Sequence, residues 1–309
     1  MLTVLLVILI VAAAYTVFIL APAIVFYRVI FKRRGHIDMT KPDVCDPAFA
    51  PYEPAMADAI AFLRRQPNRP LSMTAADGVT LSGVWYDAGS DKTAVLLHGY
   101  NASPVTALCL QAAFLYRAGF NVAFLYQRGH GESGGVTTLG CKEERDLRDF
   151  VAHLGATTGT RQVLLYGISM GCATAALASD RLDPDVVKGM VLDCGYTSAL
   201  GQLSWEMRRR HLPKRLIAPL LTAWARRFLD VDITHPTTAS LGGTRIPALF
   251  FHGERDETVP VSRGRENFEA CASDKAWFSS DTAGHLLCYP SRQADCERLL
   301  HEFIKTHFS

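Results

Sequence analysis

Residues 164–175, with the sequence LLYGISMGCATA, decide how this chain folds. Within them Ser169 stands between Gly167 and Gly171, after an apolar run and before an alanine-rich segment. A short apolar run is typical of a buried strand, and the alanine-rich segment that follows is typical of a helix. The small residues at the junction serve either tight packing or a sharp turn that lifts the serine hydroxyl above a sheet. Ser169 is therefore either an inert turn residue or a nucleophile.

Apolar strands and amphipathic helices alternate on both sides of this junction. A hairpin indicated by Asp77-Gly78 comes first, and a helix over 291–307 comes last. The predicted strands between them cover residues 93–97, 121–126, 162–166, 187–192, 246–251 and 276–279, and the predicted helices cover 105–118, 141–154 and 264–272. Apolar strands that alternate with helices predict an α/β fold, in which a mostly parallel sheet is covered on both faces.

Polar residues follow the predicted strands, at the sheet edge where such folds bind ligands. Ser169, Asp256 and His285 each come shortly after a strand, in that chain order. A serine hydroxyl needs an adjacent base to become a nucleophile, and histidine titrates near neutrality. A carboxylate can hold the imidazole in the correct tautomer. The three residue types together therefore favour the nucleophilic interpretation of Ser169.

Five motifs at these strand ends resemble those of the α/β-hydrolase family, and the resemblance spans roughly residues 70–309. They are His-Gly-Tyr at 98–100, Arg-Gly-His-Gly-Glu-Ser at 128–133, Gly-Ile-Ser-Met-Gly at 167–171, Asp-Glu-Thr-Val-Pro at 256–260 and Gly-His at 284–285. The resemblance implies an α/β-hydrolase fold with a small helical cap. Within the family, the chain is most similar to membrane-tethered serine hydrolases close to the prolyl oligopeptidase-like set.

The resemblance also implies site residues. Ser169 is expected to be the nucleophile, Asp256 the acid and His285 the general base. The backbone N–H groups of Tyr100 and Met170 are expected to form the oxyanion hole. Neither a metal nor an organic cofactor is implied.

Other residues compete for these roles. Asp193 also follows a strand, and some relatives place their acid there. His98 and His252 directly follow strands as well, but both are interpreted as polar loop residues. His130 is expected to anchor its own loop. Cys172 stands where many relatives have a further glycine, and we expect it to leave the turn intact.

Composition and charge exclude several classes of partner. The formal net charge is +2, and the chain has no basic arm, so a nucleic-acid partner is not expected. None of the eight cysteines forms a Cys-x-x-Cys pair, which favours free thiols and a reducing compartment. Cys172 and Cys194 are candidates for lining the site.

The N-terminus predicts a membrane anchor. Residues 1–27 carry no charge, and a membrane-spanning helix needs about 20 apolar residues. Basic residues follow at Arg28 and at 32–34, so a single-pass topology with a cytoplasmic catalytic domain is expected. We divide the chain into an anchor at 1–30, a linker and packing segment at 31–70 and a hydrolase domain at 71–309. A cleaved signal peptide and a buried core helix are the alternatives for the first segment.

Residues 196–241 predict a cap inserted between two strands. The segment has an apolar stripe at Leu216, Ile217, Leu220, Leu221, Trp224 and Phe228, and basic residues at Arg208, Arg209, Arg210, Lys214, Arg215, Arg226 and Arg227. The basic residues form either a solvated face or a contact with anionic lipid head groups. An apolar cap also suits acyl substrates.

Together these features predict a serine hydrolase that acts on small-molecule carboxylic esters, with acyl or lipid-like substrates, through an acyl-enzyme. A serine peptidase or amidase of the same fold is the alternative activity. A membrane-tethered, hydrolase-like binding protein without turnover is the non-enzymatic alternative.

Overall fold

The computed structural model describes residues 2–21, 24 and 47–308, and its centre is an eight-stranded sheet. The strands are β1 (Asn68–Thr74), β2 (Thr80–Tyr86), β3 (Lys92–Leu97), β4 (Asn121–Tyr126), β5 (Gln162–Ile168), β6 (Val187–Asp193), β7 (Ala248–Gly253) and β8 (Lys275–Ser280). Their order across the sheet is β1-β2-β4-β3-β5-β6-β7-β8. The pairs β1–β2 and β2–β4 are antiparallel, and all other neighbours are parallel. The predicted fold class, an α/β fold with a mostly parallel sheet, is confirmed.

The helices cover both faces of the sheet, form the cap and occupy the N-terminal segment. They are α1 (Leu2–Tyr15), α2 (Glu53–Arg64), α3 (Pro104–Ala107), α4 (Cys109–Arg117), α5 (Glu143–Thr158), α6 (Met170–Ala178), α7 (Ala199–Arg209), α8 (Lys214–Trp224), α9 (Thr237–Gly243), α10 (Val261–Ala270), α11 (Cys288–Ser291) and α12 (Gln293–His307). Short π-helical segments at Thr16–Leu20 and Ala225–Leu229 continue α1 and α8, and a 3₁₀ helix at Pro47–Tyr52 precedes α2. The predicted helix over 105–118 is divided into α3 and α4.

Alternate side chains of the central strands enter two different cores, which explains why these strands are apolar throughout. In β3, Leu96 belongs to the core under α2, α4 and α12, while Leu97 belongs to the core under α5 and α6. All six residues of β4 are buried. The carboxyl ends of the parallel strands consequently lie between two packed layers and are held in fixed positions.

Helix α2 belongs to the folded body. Met56, Ala59, Ile60 and Leu63 are buried in the same core as α4 and α12. Strand β1 already begins at Asn68. Residues 31–46 of the predicted linker lie outside the described residues, and the division of the chain at residue 70 stays a prediction.

The predicted transmembrane helix at 1–30 is not confirmed. Across residues 2–21, 24 and 47–308, no helix is both long enough and apolar enough to cross a membrane. Arg28 and the basic residues at 32–34 lie outside the described part of the chain.

The cap forms a third core between β6 and β7. Leu203 and Met207 of α7 are buried against Ile217 and Leu221 of α8. The same cluster includes Met170, the first residue of α6. The predicted insertion at 196–241 therefore packs directly on the residue that follows Ser169.

Candidate active site

Ser169 occupies a strained turn between β5 and α6. Its backbone has φ 51° and ψ −111°, a conformation that few residues other than glycine adopt. A Cβ atom on Gly167 would lie 2.3 Å from the carbonyl oxygen of Gly171, and a Cβ on Gly171 would lie 2.1 Å from the carbonyl oxygen of Leu97. Both flanking glycines are therefore required by close backbone approach. This turn has the geometry of a nucleophile elbow.

The side chain of Cys172 is accommodated because residue 195 is a glycine. Its side chain is buried, and a Cβ atom on Gly195 would lie 2.1 Å from the Cys172 sulfur. The thiol therefore fills the space that a side chain at residue 195 would need. This packing explains how the turn at Ser169 forms with a cysteine where many relatives have glycine.

The structure brings Ser169, His285 and Asp256 into one hydrogen-bonded row. The Ser169 Oγ lies 3.0 Å from His285 Nε2, and His285 Nδ1 lies 2.7 Å from Asp256 Oδ2. Because a carboxylate only accepts, Nδ1 carries the imidazole proton and Nε2 accepts from the serine hydroxyl. Ser169 is 8% exposed, so the row lies just beneath the surface. The three predicted side chains, 116 residues apart at most, meet with the geometry of a nucleophile, a base and an orienting acid.

Backbone donors hold the carboxylate of Asp256 in place. Its Oδ1 accepts hydrogen bonds from the N–H groups of Thr258 at 2.9 Å and Val259 at 2.7 Å. Oδ2 remains directed at His285. The Asp256 carboxylate is thus oriented by the backbone of its own loop, independently of its hydrogen bond to His285.

Two buried carboxyls at this edge of the sheet have pKa values shifted in opposite directions. Burial raises the pKa of Asp193 to about 6. Burial also opposes ionisation of Asp256, but hydrogen bonds from His252 and His285 outweigh it and lower its pKa to about 2. Only Asp256 bonds to His285, whereas the side chain of Asp193 lies near the Tyr166 hydroxyl, at 3.5 Å. Geometry and charge therefore both favour Asp256 over Asp193 as the partner of His285.

The interpretation of His252 as a polar loop residue is wrong. The residue lies inside β7, is fully buried and stacks on Trp277. Its Nε2 lies 2.9 Å from the carbonyl oxygen of Val259 and 3.5 Å from Asp256 Oδ2. His252 thus supports the acid loop from below, a role that sequence position alone did not reveal.

His98 is also fully buried, and it connects the turn after β3 to its neighbours. Its Nδ1 donates to the carbonyl oxygen of Gly99 at 2.7 Å, and its Nε2 accepts from the backbone N–H of Gln127 at 3.0 Å. Burial lowers the pKa of His98 to about 3, so the ring is neutral and can accept this bond. The Gln127 side chain in turn joins the carbonyl oxygen of His98 to the Thr174 hydroxyl on α6.

The turn after β3 lies directly beside Ser169. A Cβ on Gly99 would be 3.4 Å from the Cβ of Ser169. The following Asn101, at φ 57°, donates its N–H to Nε2 of His130 at 3.1 Å. His130 therefore anchors this neighbouring turn as well as its own loop.

Tyr100 and Met170, the expected oxyanion-hole residues, flank Ser169 from two elements. Tyr100 lies within the turn that His98 and His130 hold, and Met170 is the first residue of α6. The N–H of a first helical residue has no acceptor within its own helix. Their role in binding an oxyanion stays a prediction.

The Arg-Gly-His-Gly-Glu-Ser motif is structural. Arg128 donates two hydrogen bonds to Asp146, at 2.7 and 2.6 Å, and two to Asp77, at 2.9 and 3.5 Å. Ser133 accepts from the N–H of Ser82 at 2.8 Å. The motif thus attaches its loop to α5 and to the β1–β2 hairpin.

Cys194 lies behind the row of three side chains. Its sulfur, an Asp256 oxygen and a His285 nitrogen lie within 4.8 Å of one another. A thiol binds metal as the thiolate, and burial raises the pKa of Cys194 well above its usual value. The carboxylate and imidazole are also bonded to each other. This donor set suits a hydrogen-bonded site better than a metal centre.

Comparison with known proteins agrees with this geometry. Residues 89–231 match the family model Hydrolase_4, described as serine aminopeptidase, S33. The solved structure of the Pyrococcus furiosus esterase Pf2001 superposes with a TM-score of 0.66 at 25% identity, covering 79% of this chain and 92% of the esterase. The fold and the matched region are those of α/β-hydrolases. The esterase-like relationship supports a hydrolase function.

Two curated relatives have similar sequence identity but cover less of the chain. The uncharacterized protein YqkD of Bacillus subtilis is 27% identical over 220 residues, covering 69% of this chain and 70% of that protein. Human protein ABHD12B is 26% identical over 201 residues, covering 60% of this chain and 52% of that protein. The narrower resemblance to the prolyl oligopeptidase-like set is not confirmed by these relatives. The matched family region contains Ser169, whereas Asp256 and His285 lie beyond it and are joined to the site by the fold.

The close approach at the elbow predicts a specific intolerance. Gly171→Ala should lower the free energy of unfolding by about 3 kcal/mol or more, because the new methyl would overlap the Leu97 carbonyl. Chemical denaturation measures the change. Gly155→Ala is the matched control, because a Cβ there meets only ordinary contact at 3.7 Å and removing a helix glycine is stabilising. Equal stability of the two variants would contradict the argument.

The lowered pKa of Asp256 predicts a pH-dependent contribution to stability. The folded pKa is about 2 against an ordinary 3.8, so ionised Asp256 stabilises the fold above the unfolded pKa, and this contribution disappears as pH falls from 4 towards 2. At neutral pH, Asp256→Asn should lower the free energy of unfolding by about 2 kcal/mol. The difference from wild type should shrink in acid. Exposed Asp281→Asn should show no such trend. An Asp256→Asn deficit that stays constant with pH would be evidence against the shift.

Proposed function

We propose that this chain is a serine hydrolase that cleaves carboxylic esters through an acyl-enzyme intermediate. The observation that supports this most directly is the hydrogen-bonded row from Ser169 through His285 to Asp256 at a strained turn. A turn serine with no chemical role needs neither an aligned imidazole nor a buried carboxylate behind it. The three side chains together can convert the hydroxyl into a nucleophile.

In the proposed first half-reaction, Ser169 Oγ attacks the carbonyl carbon of the ester. Its proton passes to His285 Nε2, and Asp256 stabilises the imidazolium that forms. The tetrahedral intermediate then collapses, the C–O bond to the alcohol breaks, and the alcohol leaves with the proton from His285. The acyl group remains on Ser169 as an ester.

The second half-reaction releases the acyl group. Water gives a proton to His285 Nε2 and attacks the acyl carbon, and collapse of the second tetrahedral intermediate returns the proton to Ser169. The products are a carboxylic acid and free enzyme. In both halves the developing oxyanion would be stabilised by the N–H groups of Tyr100 and Met170, where losing one such donor typically costs about 10²–10³ in rate.

An ester substrate is favoured over a peptide by two observations. The solved structure that superposes well is named an esterase. The cap core that covers Met170 is apolar, with Leu203, Met207 and Ile217 among its members, and an apolar wall suits an acyl chain. The aminopeptidase in the description of the matching family keeps a peptidase activity as the second candidate.

A binding protein without turnover is disfavoured by the energetics of the site. A non-glycine residue at φ 51° costs of order 1–3 kcal/mol, and such strain persists mainly where function requires it. Ligand binding alone does not explain this strain.

We also propose that the N-terminal segment attaches the protein to a membrane, with the catalytic body on the cytoplasmic side. The uncharged run at 1–27 and the basic residues after it support attachment and this orientation. The seven free cysteines of the described residues are compatible with a reducing compartment.

Membrane topology is tested by protease protection of the full chain in sealed membranes. A tag after residue 309 should be digested without detergent when the protease is added on the cytoplasmic side. The tag should be protected when the protease is added on the opposite side. The chain should also stay with the membranes after a wash in high salt. Protection in the reverse sense would overturn the orientation.

The catalytic proposal is tested with a fluorophosphonate probe and a short-chain nitrophenyl ester. Wild-type protein should be labelled once, at Ser169, and should show a burst of alcohol release when deacylation limits turnover. Ser169→Ala should abolish labelling and lower kcat by about 10⁴ or more.

The control variant is Ser262→Ala, which alters an exposed serine at the start of α10. It should be labelled like wild type. Ester turnover that survives in folded Ser169→Ala protein would refute the assignment of the nucleophile. Turnover of aminoacyl amides but not of esters would favour the peptidase.

A further inference from the structure

Helix α8 carries two apolar stripes, of which one is buried in the cap core and the other is more exposed and touches that core at Leu220. Ile217 and Leu221 are four residues apart and are buried against α7. Leu216, Leu220 and Trp224 repeat with the same spacing on another face of α8, and Phe228 extends this line into the π-helical segment. Residues four apart on a helix lie on one side of it. We call Leu216, Leu220, Trp224 and Phe228 the outer stripe.

The outer stripe is unusually exposed for apolar side chains. Leu216 is 52% exposed and Phe228 is 60% exposed. Within residues 47–308, these two are the large hydrophobic side chains that are mostly exposed, and both belong to this stripe. Single exposed leucines are common on protein surfaces, whereas an aligned row of apolar side chains marks an interaction surface.

Basic residues surround the outer stripe. Residues 196–241 contain seven Lys or Arg and three Asp or Glu, a net charge of +4, whereas the whole chain has +2. Lys214 and Arg215 stand in the first turn of α8, where cations oppose the helix dipole and carboxylates would be stabilising. Local helix stability therefore gives no reason for cations at these two positions. A function that needs positive charge there gives one.

The outer stripe also continues into the N-terminal segment. Leu20 and Ile24 line an apolar cavity of about 290 Å³ together with Leu220, Trp224 and Phe228. Many side chains of α1 are apolar and exposed. The cap and the N-terminal segment thus present one continuous apolar surface, bordered by the cations of the cap.

We infer that the outer stripe and its basic border form a docking surface for an anionic phospholipid bilayer. The apolar side chains would enter the interfacial region, and the lysine and arginine side chains would contact phosphate groups above it. The cavity along this stripe is lined in part by the N-terminal segment itself, which places the stripe beside the proposed membrane attachment. Lipid satisfies both the apolar row and the diffuse positive charge.

Docking through the cap would bring the candidate active site close to the lipid. Helix α7 is bonded to the acid loop, because Gln202 donates to the carbonyl oxygen of Thr258 at 2.9 Å and Trp205 donates to that of Glu257 at 3.0 Å. These two carbonyls follow Asp256 directly. The cap is therefore a fixed neighbour of the catalytic edge, and a docked cap would favour acyl esters that reside in the membrane. That last consequence rests on the proposed function, whereas the docking itself does not.

The test uses the full chain carrying Ser169→Ala, so that binding is measured without turnover. Vesicles of phosphatidylcholine, with and without phosphatidylglycerol, carry brominated acyl chains that quench tryptophan fluorescence on contact. Trp224 lies on the outer stripe, and its signal is isolated by comparison with Trp224→Phe. Quenching of Trp224 reports cap contact even where the N-terminal segment holds the chain on both kinds of vesicle.

Quenching of Trp224 should require phosphatidylglycerol and should weaken in high salt. Lys214→Glu with Arg215→Glu should lower the affinity of the cap for anionic vesicles, read from Trp224 quenching, by about 30-fold. The reason is that each cation near an anionic surface contributes roughly a factor of five to this affinity. These substitutions favour the first turn of α8, so the thermal stability should not fall. Hydrolysis of a water-soluble ester by the otherwise wild-type double variant should be unchanged, which separates this result from a failure of the catalytic proposal.

The matched control is Arg161→Glu with Lys305→Glu, an equal change of charge at exposed positions of the hydrolase body. It should keep the quenching of wild type. Equal quenching on neutral and anionic vesicles would overturn the inference. An equal loss of quenching in the two charge-reversal variants, at 214 and 215 and at 161 and 305, would also overturn it. Leu216→Ser with Phe228→Ser should also abolish quenching, and retention of full quenching in that variant would exclude the outer stripe.

Discussion

The close backbone contact between β3, β5 and α6 is the constraint on which the rest of the site depends. Helix α6 begins so near β3 that the Leu97 carbonyl occupies the space a side chain at residue 171 would need. This approach forces Ser169 into a left-handed conformation and directs α6 away from the strand at once. The hydroxyl is consequently raised at the carboxyl edge of the sheet.

A second layer of polar contacts transmits this constraint to the surrounding loops. Gln127 connects the turn after β3 to α6. His98 accepts the backbone N–H of Gln127, and His130 accepts that of Asn101, the residue after Tyr100. On the opposite side, His252 supports the loop that carries Asp256. All three histidines are fully buried. They position the site without belonging to the row of reacting groups.

Charge is distributed unevenly between the two parts of the molecule. The cap carries a net charge of +4, so the rest of the chain, with the whole at +2, has a net charge of −2. Within residues 47–308, the mostly exposed large hydrophobic side chains, Leu216 and Phe228, both lie in the cap. A hydrolase body that needs only to be soluble would not require this separation. The arrangement is physically coherent if the positive, apolar side of the molecule faces a negatively charged lipid surface and the catalytic edge lies next to it.

The sequence by itself determined the fold class and singled out Ser169 and His285, with Asp256 preferred to Asp193 through the family resemblance. Strand and helix periodicity is local, and the glycines around Ser169 signal a turn that few other sequences tolerate. Asp256 and His285 were found because chemistry restricts which residues can follow those strands usefully. His252 was missed because a residue at a predicted strand end looks the same whether its side chain turns inward or outward. Only the tertiary structure decided that Asp256 rather than Asp193 meets the imidazole, because both carboxyls follow parallel strands and hydrogen bonding and burial, not spacing, distinguish them. The outer stripe was likewise decided by packing. In the sequence its leucines look the same as those of the cap core, and only the fold buries one row more deeply than the other.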